Sequence, residues 1–130
     1  MRTFGLSEFL FILQAAQWTL ALSAIAFVGG ALLGLVVALS RTSENAAARN
    51  AARVFIQVFQ GTPLLLQLFL IFFGAPVLGF DINPWVAAGV ALVLNSAAFL
   101  AEIWRGCIEA VPRGQWEAAQ ALNLKYVARM

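Results

Sequence analysis

The chain has no histidine, and Cys107 is its only thiol. Its six Asp and Glu residues are dispersed rather than clustered. These shortages leave no ligand set for a zinc or iron site and no partner for an internal disulfide, so no metal or other cofactor is expected. Charge is scarce as well. Charged residues make up 11% of the 130 positions, where a soluble domain carries about 25%. No charge at all falls within residues 9–40, 54–80 or 82–101. Each of these blocks exceeds the ~18 residues that mark a membrane-crossing helix, so three spans are expected. Internal repeats and low-complexity tracts are also missing.

Apolar residues fill much of the space, at 62% of the chain. The formal net charge of +2 invites a nucleic-acid reading, but the placement of the basic residues argues against it. Arg41, Arg49 and Arg53 follow the first apolar block, and Arg105, Arg113, Lys125 and Arg129 follow the third. None lies between residues 54 and 104. That asymmetry is the positive-inside pattern, which encodes orientation. It places residues 41–53 and 105–130 in the cytoplasm, with the N-terminus and residues 75–84 outside. Cys107 then lies on the reducing side. The first uncharged block is far longer than the ~7–15 residues of a signal-peptide core, so it is read as a retained span.

The expected fold is an all-α integral membrane protein. Spans are predicted at about 18–40, 54–74 and 84–105, after an N-terminal extracytoplasmic or interfacial segment, residues 1–15. Ala26, Gly30 and Gly34 recur every fourth residue and would let another helix approach closely. The stretch from Gly74 to Pro84 carries two Gly, two Pro, Asn83 and Asp81, which is breaker chemistry for an outer loop. Pro84 suits a first helical turn, while Trp85 and Trp104 suit the two membrane interfaces. The polar loop 41–53 is alanine-rich and expected to be partly helical.

Polar residues within the apolar blocks are the candidates for a translocation pathway. Gln60-Gly61-Thr62-Pro63 interrupts span two, because Pro63 removes a helical hydrogen bond and Gly61 loosens the backbone. Such a break either re-aims Gln57, Gln60, Thr62 and Gln67 toward a pathway or simply kinks the packing. Asn95 and Ser96 lie mid-span, where they either line a pathway or bond a neighbouring helix. Glu102 is the only acidic residue near membrane depth. It is either a gating or substrate group or the partner of Arg105, three residues later on the same face.

A further helix is predicted over residues 112–124, outside the membrane. Pro112 can open it, Glu117 to Leu122 favour it, and Asn123 can take the left-handed turn that ends it. It exposes Trp116, Ala119, Leu122 and Leu124. Trp116, Ala119 and Asn123 share a stripe that fits a groove on a partner. The alternative is a helix lying on lipid, but the small Ala118-Ala119 pair gives poor membrane grip.

Three segments carry a family resemblance. Phe59-Gln60-Gly61-Thr62-Pro63-Leu64-Leu65-Leu66-Gln67-Leu68 resembles the FRGTPLLVQL stretch of polar-amino-acid ABC permeases. Leu94 to Gly106 resembles that family's LNSGAYLAEIFRGGI stretch, and residues 113–124 resemble its EAA motif. The resemblance covers about residues 16–130, in order, and implies the N-terminal part of an ABC type-1 transmembrane domain. It further implies a permease subunit of an ATP-driven importer in a bacterial inner membrane, with no enzymatic activity of its own. The implied partners are an ABC ATPase, a second permease subunit (homo- or heterodimeric), an extracytoplasmic solute-binding protein, membrane lipid and an amino-acid substrate. Helix 112–124 would be the coupling helix against the ATPase, through Arg113, Gly114, Gln115, Glu117, Ala118, Ala119 and Asn123. Gln60 stands where the family usually has arginine, and Asn123 where it usually has glycine. Family members continue beyond this motif through further spans, so the sequence is expected to be truncated and not to transport alone. The contrasting class is a non-transporting membrane scaffold, an assembly protein or an inactive permease fragment.

Overall fold

The computed structural model describes residues 5–123, and all regular structure among them is helical. Helix α1 spans Leu6–Thr42, α2 Ala46–Gly61, α3 Leu64–Val77, α4 Pro84–Glu109 and α5 Arg113–Ala121. Leu124 at the expected end of the last helix, and the basic residues Arg2, Lys125 and Arg129, lie outside the described residues.

Local chemistry accounts for the helix ends. Glu8 reaches back to the Gly5 amide at 2.9 Å and occupies one free donor at the start of α1. The Asn45 side chain accepts from the Ala47 amide at 2.9 Å, starting α2 inside the segment read as a polar loop. Asn83 does the same for the Trp85 amide, also at 2.9 Å, with Pro84 in the first turn of α4. Asn123 follows α5 with φ 53°, the left-handed geometry expected of it. No proline stands between Leu6 and Ser40. Accordingly α1 passes without interruption through Trp18, where the first span was expected to start.

Packing is organised by the contact of α1 with α4. The buried residues of α1 are Ala26, Gly30, Gly34 and Ala38, the predicted four-residue stripe carried one step further. They meet the small residues Ala97 and Ala101 of α4, which are buried as well. The approach is that of backbone to backbone. A Cβ on Gly30 would lie 2.6 Å from the Ser96 Cβ, and one on Gly34 would lie 2.9 Å from the Ala97 carbonyl oxygen. Small residues replace hydrophobic driving force in lipid, where close van der Waals contact holds helices together.

The contacts also fix direction. Trp18 packs on Trp85 with ring centroids 4.9 Å apart, Gly30 faces Ser96, and Gly34 faces Ala97 and Leu100. Residue numbers rise together on both helices, so α1 and α4 run parallel. Residues 43–83 must therefore carry the chain back from one end of the bundle to the other. Helices α1 and α4 are each long and apolar enough to cross a membrane, and α2 with α3 qualifies as a third crossing when taken as one bent unit. The second apolar block shows the interruption expected at Gln60-Gly61-Thr62-Pro63. It breaks at Thr62-Pro63, where the second half bends by 105° from the first. The break follows from Pro63, which has no amide hydrogen to continue the ladder.

Candidate functional site

The break in the middle span creates the first cluster of polar groups inside the bundle. Pro63 leaves the Phe59 carbonyl, four residues back, without its helical donor. Gln67 supplies the substitute: its Nε2 donates to the Phe59 carbonyl at 2.8 Å and lies 3.0 Å from the Thr62 carbonyl. It also lies 2.9 Å from Thr62 Oγ1 and 3.4 Å from Asn95 Oδ1. The Thr62 hydroxyl in turn donates to the Val58 carbonyl at 2.8 Å. Gln67 is only 5% exposed and is the sole buried polar side chain among the described residues. One amide thus closes an elbow that would otherwise hold bare carbonyls at membrane depth.

Gln67→Leu keeps the size but removes the donor, and it is expected to destabilise the fold by about 1–3 kcal/mol, the cost of stranding a buried acceptor. Thermal unfolding in detergent measures this, and an unchanged midpoint would rule out the latch. The same residue has an unmet need of its own, since Gln67 Oε1 is buried without a donor.

The elbow brings together three of the predicted pathway residues, Thr62, Gln67 and Asn95. Ser96 goes elsewhere. Its Cβ lies against Gly30 in the α1–α4 seam, a packing position. Glu102 is further along α4, in the ion pair anticipated from its spacing with Arg105. Arg105 Nη2 sits 2.6 Å from Glu102 Oε2 and its Nε 3.0 Å from the same oxygen, while Nη1 binds Glu109.

Between the elbow and that ion pair, α2 presents Arg53, Gln57 and Gln60 at a spacing that shares one helix face. They line a cleft of about 380 Å³ with Arg41, Ile56 and Glu102. Gln60 Nε2 also donates to the Ala98 carbonyl of α4 at 3.2 Å, fastening α2 to the third span. The sequence reading included neither arginine among the site residues. The available signal was the four-residue spacing of Arg53 with Gln57, which puts a charge beside an amide on a helix that also carries apolar residues.

Helix α5 follows α4 through Val111 and Pro112. Trp116 and Ala119 are its half-covered residues, three apart, while Arg113, Gly114, Gln115, Glu117 and Ala118 are exposed. This presents a free polar face carrying the predicted coupling residues.

Two helices long and apolar enough to cross a membrane, with a bent helix pair packed beside them around a polar elbow, define a multi-pass helical membrane protein. The family model described as "Binding-protein-dependent transport system inner membrane component" matches residues 30–130, and the chain belongs to that family. Among relatives, the probable amino-acid ABC transporter permease protein YckA of Bacillus subtilis (strain 168) is 37% identical, over 94% of this chain and 54% of its own length. The arginine transport system permease protein ArtQ of the same organism is 44% identical, over 89% of this chain and 53% of its own. A putative glutamine transport system permease protein GlnP of Rickettsia bellii (strain RML369-C) is 40% identical, over 90% and 54%. The crystal structure of an amino acid ABC transporter with histidines superposes with a TM-score of 0.79 at 36% identity. That match covers 100% of this chain and 62% of the solved one. The chain spans about half the length of the curated relatives it matches.

Proposed function

We propose that this chain contributes the membrane-spanning permease subunit of an ATP-driven, binding-protein-dependent importer of polar amino acids. The observation that carries the reading is the likeness to an amino acid ABC transporter over 100% of the chain at 36% identity. An ABC ATPase, a second permease subunit and an extracytoplasmic binding protein are its partners, with ATP hydrolysis confined to the ATPase. The chain resides in a bacterial inner membrane. The relatives favour this reading over a non-transporting scaffold, because the named ones are permeases of amino-acid systems.

In this reading Thr62, Gln67 and Asn95 border the path at the elbow, where polar groups inside a bundle can meet a polar substrate. Glu102 stands nearer the inner mouth. Asn95→Leu, introduced at the chromosomal locus, is expected to lower uptake of the transported amino acid roughly three- to tenfold. Uptake is read with a panel of labelled amino acids against a deletion strain. Deletion without effect on any of them would overturn the importer reading.

Orientation follows from charge. Arg41, Arg49, Arg53 and Arg105 lie toward the end of the bundle opposite Trp18 and Trp85, a bias that supports a cytoplasmic position for that end and α5, with the N-terminus outside. A cysteine placed at Asn45 should react only with reagent on the cytoplasmic side, and one at Asn83 only from outside. The reverse pattern would invert the topology.

A further inference from the structure

The cleft between α1, α2 and α4 is the strongest polar feature that the elbow and α5 leave unused. Arg41 enters it from the last turn of α1 and Arg53 from α2, with Gln57 beside them. Among the described residues neither arginine has a carboxylate within ion-pair distance. The one acidic group facing the cleft is Glu102, and Arg105 already holds it through two nitrogens. Two arginines, Arg41 and Arg53, thus line the cleft against one carboxylate, which a third arginine outside the lining already binds. The cleft therefore has a surplus of positive charge and guanidinium donors with nothing to receive them, which is the chemistry that recognises an oxyanion.

Its surroundings narrow the source of that anion. Val54 and Val58 lie next to Arg53 and Gln57 on α2, Leu39 lies two residues before Arg41, and Ile103 follows Glu102; all four are exposed. A basic, amide-bearing recess on helices whose neighbouring faces carry exposed aliphatic side chains matches an amphiphile with an anionic head and hydrocarbon tails. The volume of about 380 Å³ is within the range of small-molecule pockets. Basic recesses between membrane helices near one interface attract anionic headgroups.

We infer that the Arg41–Arg53 cleft is a binding site for the phosphodiester headgroup of an anionic phospholipid, whose tails lie along the exposed aliphatic residues of α2 and α4. Arg41 and Arg53 grip the phosphate oxygens, and Gln57 offers an amide hydrogen. The site stands on the cleft alone and is independent of the transport reading.

The test is native mass spectrometry of the purified chain in mild detergent, with dioleoyl phosphatidylglycerol and dioleoyl phosphatidylcholine competing at equal concentration. The expected result is preferential retention of phosphatidylglycerol. At about fivefold per arginine, Arg41→Gln with Arg53→Gln should reduce the preference about twenty-five-fold. Arg113→Gln, on α5 and away from the cleft, should leave it unchanged, and Arg53→Lys should preserve most of it. Helix content by circular dichroism identifies a variant that fails to fold; in that event the Arg53→Gln single variant, compared with Arg53→Lys, decides. Equal retention of the two lipids, or equal loss in Arg113→Gln, overturns the site. Displacement of the lipid by millimolar inorganic phosphate would make it a site for free phosphate and overturn the lipid assignment.

Discussion

Gly34→Leu is expected to push α1 off α4 and to leave little folded bundle to recover. Even a single Cβ at this position would come 2.9 Å from the Ala97 carbonyl oxygen, 3.2 Å from the Leu100 Cβ and 3.3 Å from the Ala101 amide nitrogen. Two of these neighbours are backbone atoms in the middle of a helix, which cannot swing aside as a flexible side chain does. Overpacking a tight site costs about 1–3 kcal/mol. Leucine adds three more carbons in the same gap, so the upper end of that range is expected here. The loss is compounded because the seam is the principal contact in a bundle that exposes most of its large apolar side chains. In detergent, the variant should show a strongly lowered thermal midpoint and a shift toward aggregate by size exclusion. Gly61→Ala is the matched control, since a Cβ there meets nothing within 4 Å. Equal behaviour of the two variants would show that small size in the seam is not what joins the helices.

The seam was legible in the sequence because its chemistry is periodic. Ala26, Gly30 and Gly34 announce a face by their spacing alone, and Ala38 extends it. The apolar blocks were legible for a different reason: charge marks their ends whatever the helices do between them, and two of the blocks are single helices long enough to cross a membrane while the other is a bent pair. The break at Pro63 could also be read, since a missing amide hydrogen is a local property. Its 105° angle could not. That angle depends on which distant group satisfies the Phe59 carbonyl, and Gln67 became its donor only once the chain had turned back on itself. The residue was singled out as a polar group in a span, without the latch that its position four residues after Pro63 allows.

Asn95 and Ser96 show the same limit at finer scale. Adjacent residues on a helix point about 100° apart, so one sequence motif is divided between two environments. Asn95 turns to the elbow and Ser96 to the seam. The cleft was harder still. Arg41, Arg53 and Glu102 belong to three different helices, and no local pattern links them. The start of α2 illustrates a missed signal. Asn45 followed by three alanines is a capped helix start, which fixes where the partly helical segment 41–53 begins its helix.

Glu117→Lys is the second change expected to have a large effect, and it tests the role proposed for α5. The helix is nine residues long, too short to be stable in water without support. Its Trp116 and Ala119 are half covered, while Glu117 is exposed on the remaining surface together with Arg113 and Gln115. If this surface seats in a groove of an ATPase, reversing the charge of Glu117 leaves its partner group facing a like charge in a contact that excludes water. Such a mismatch typically costs 2–5 kcal/mol, so ATP-driven uptake should fall at least about tenfold. Membrane insertion should be unaffected, because the substitution lies beyond α4 and touches neither the seam nor the elbow. The measurement pairs labelled amino-acid uptake with ATPase activity in membranes carrying the complete importer. Uptake should be lost, and hydrolysis should cease to respond to the substrate-loaded binding protein. Wild-type coupling in Glu117→Lys would remove α5 from the ATPase contact and leave the lipid surface as its place of rest.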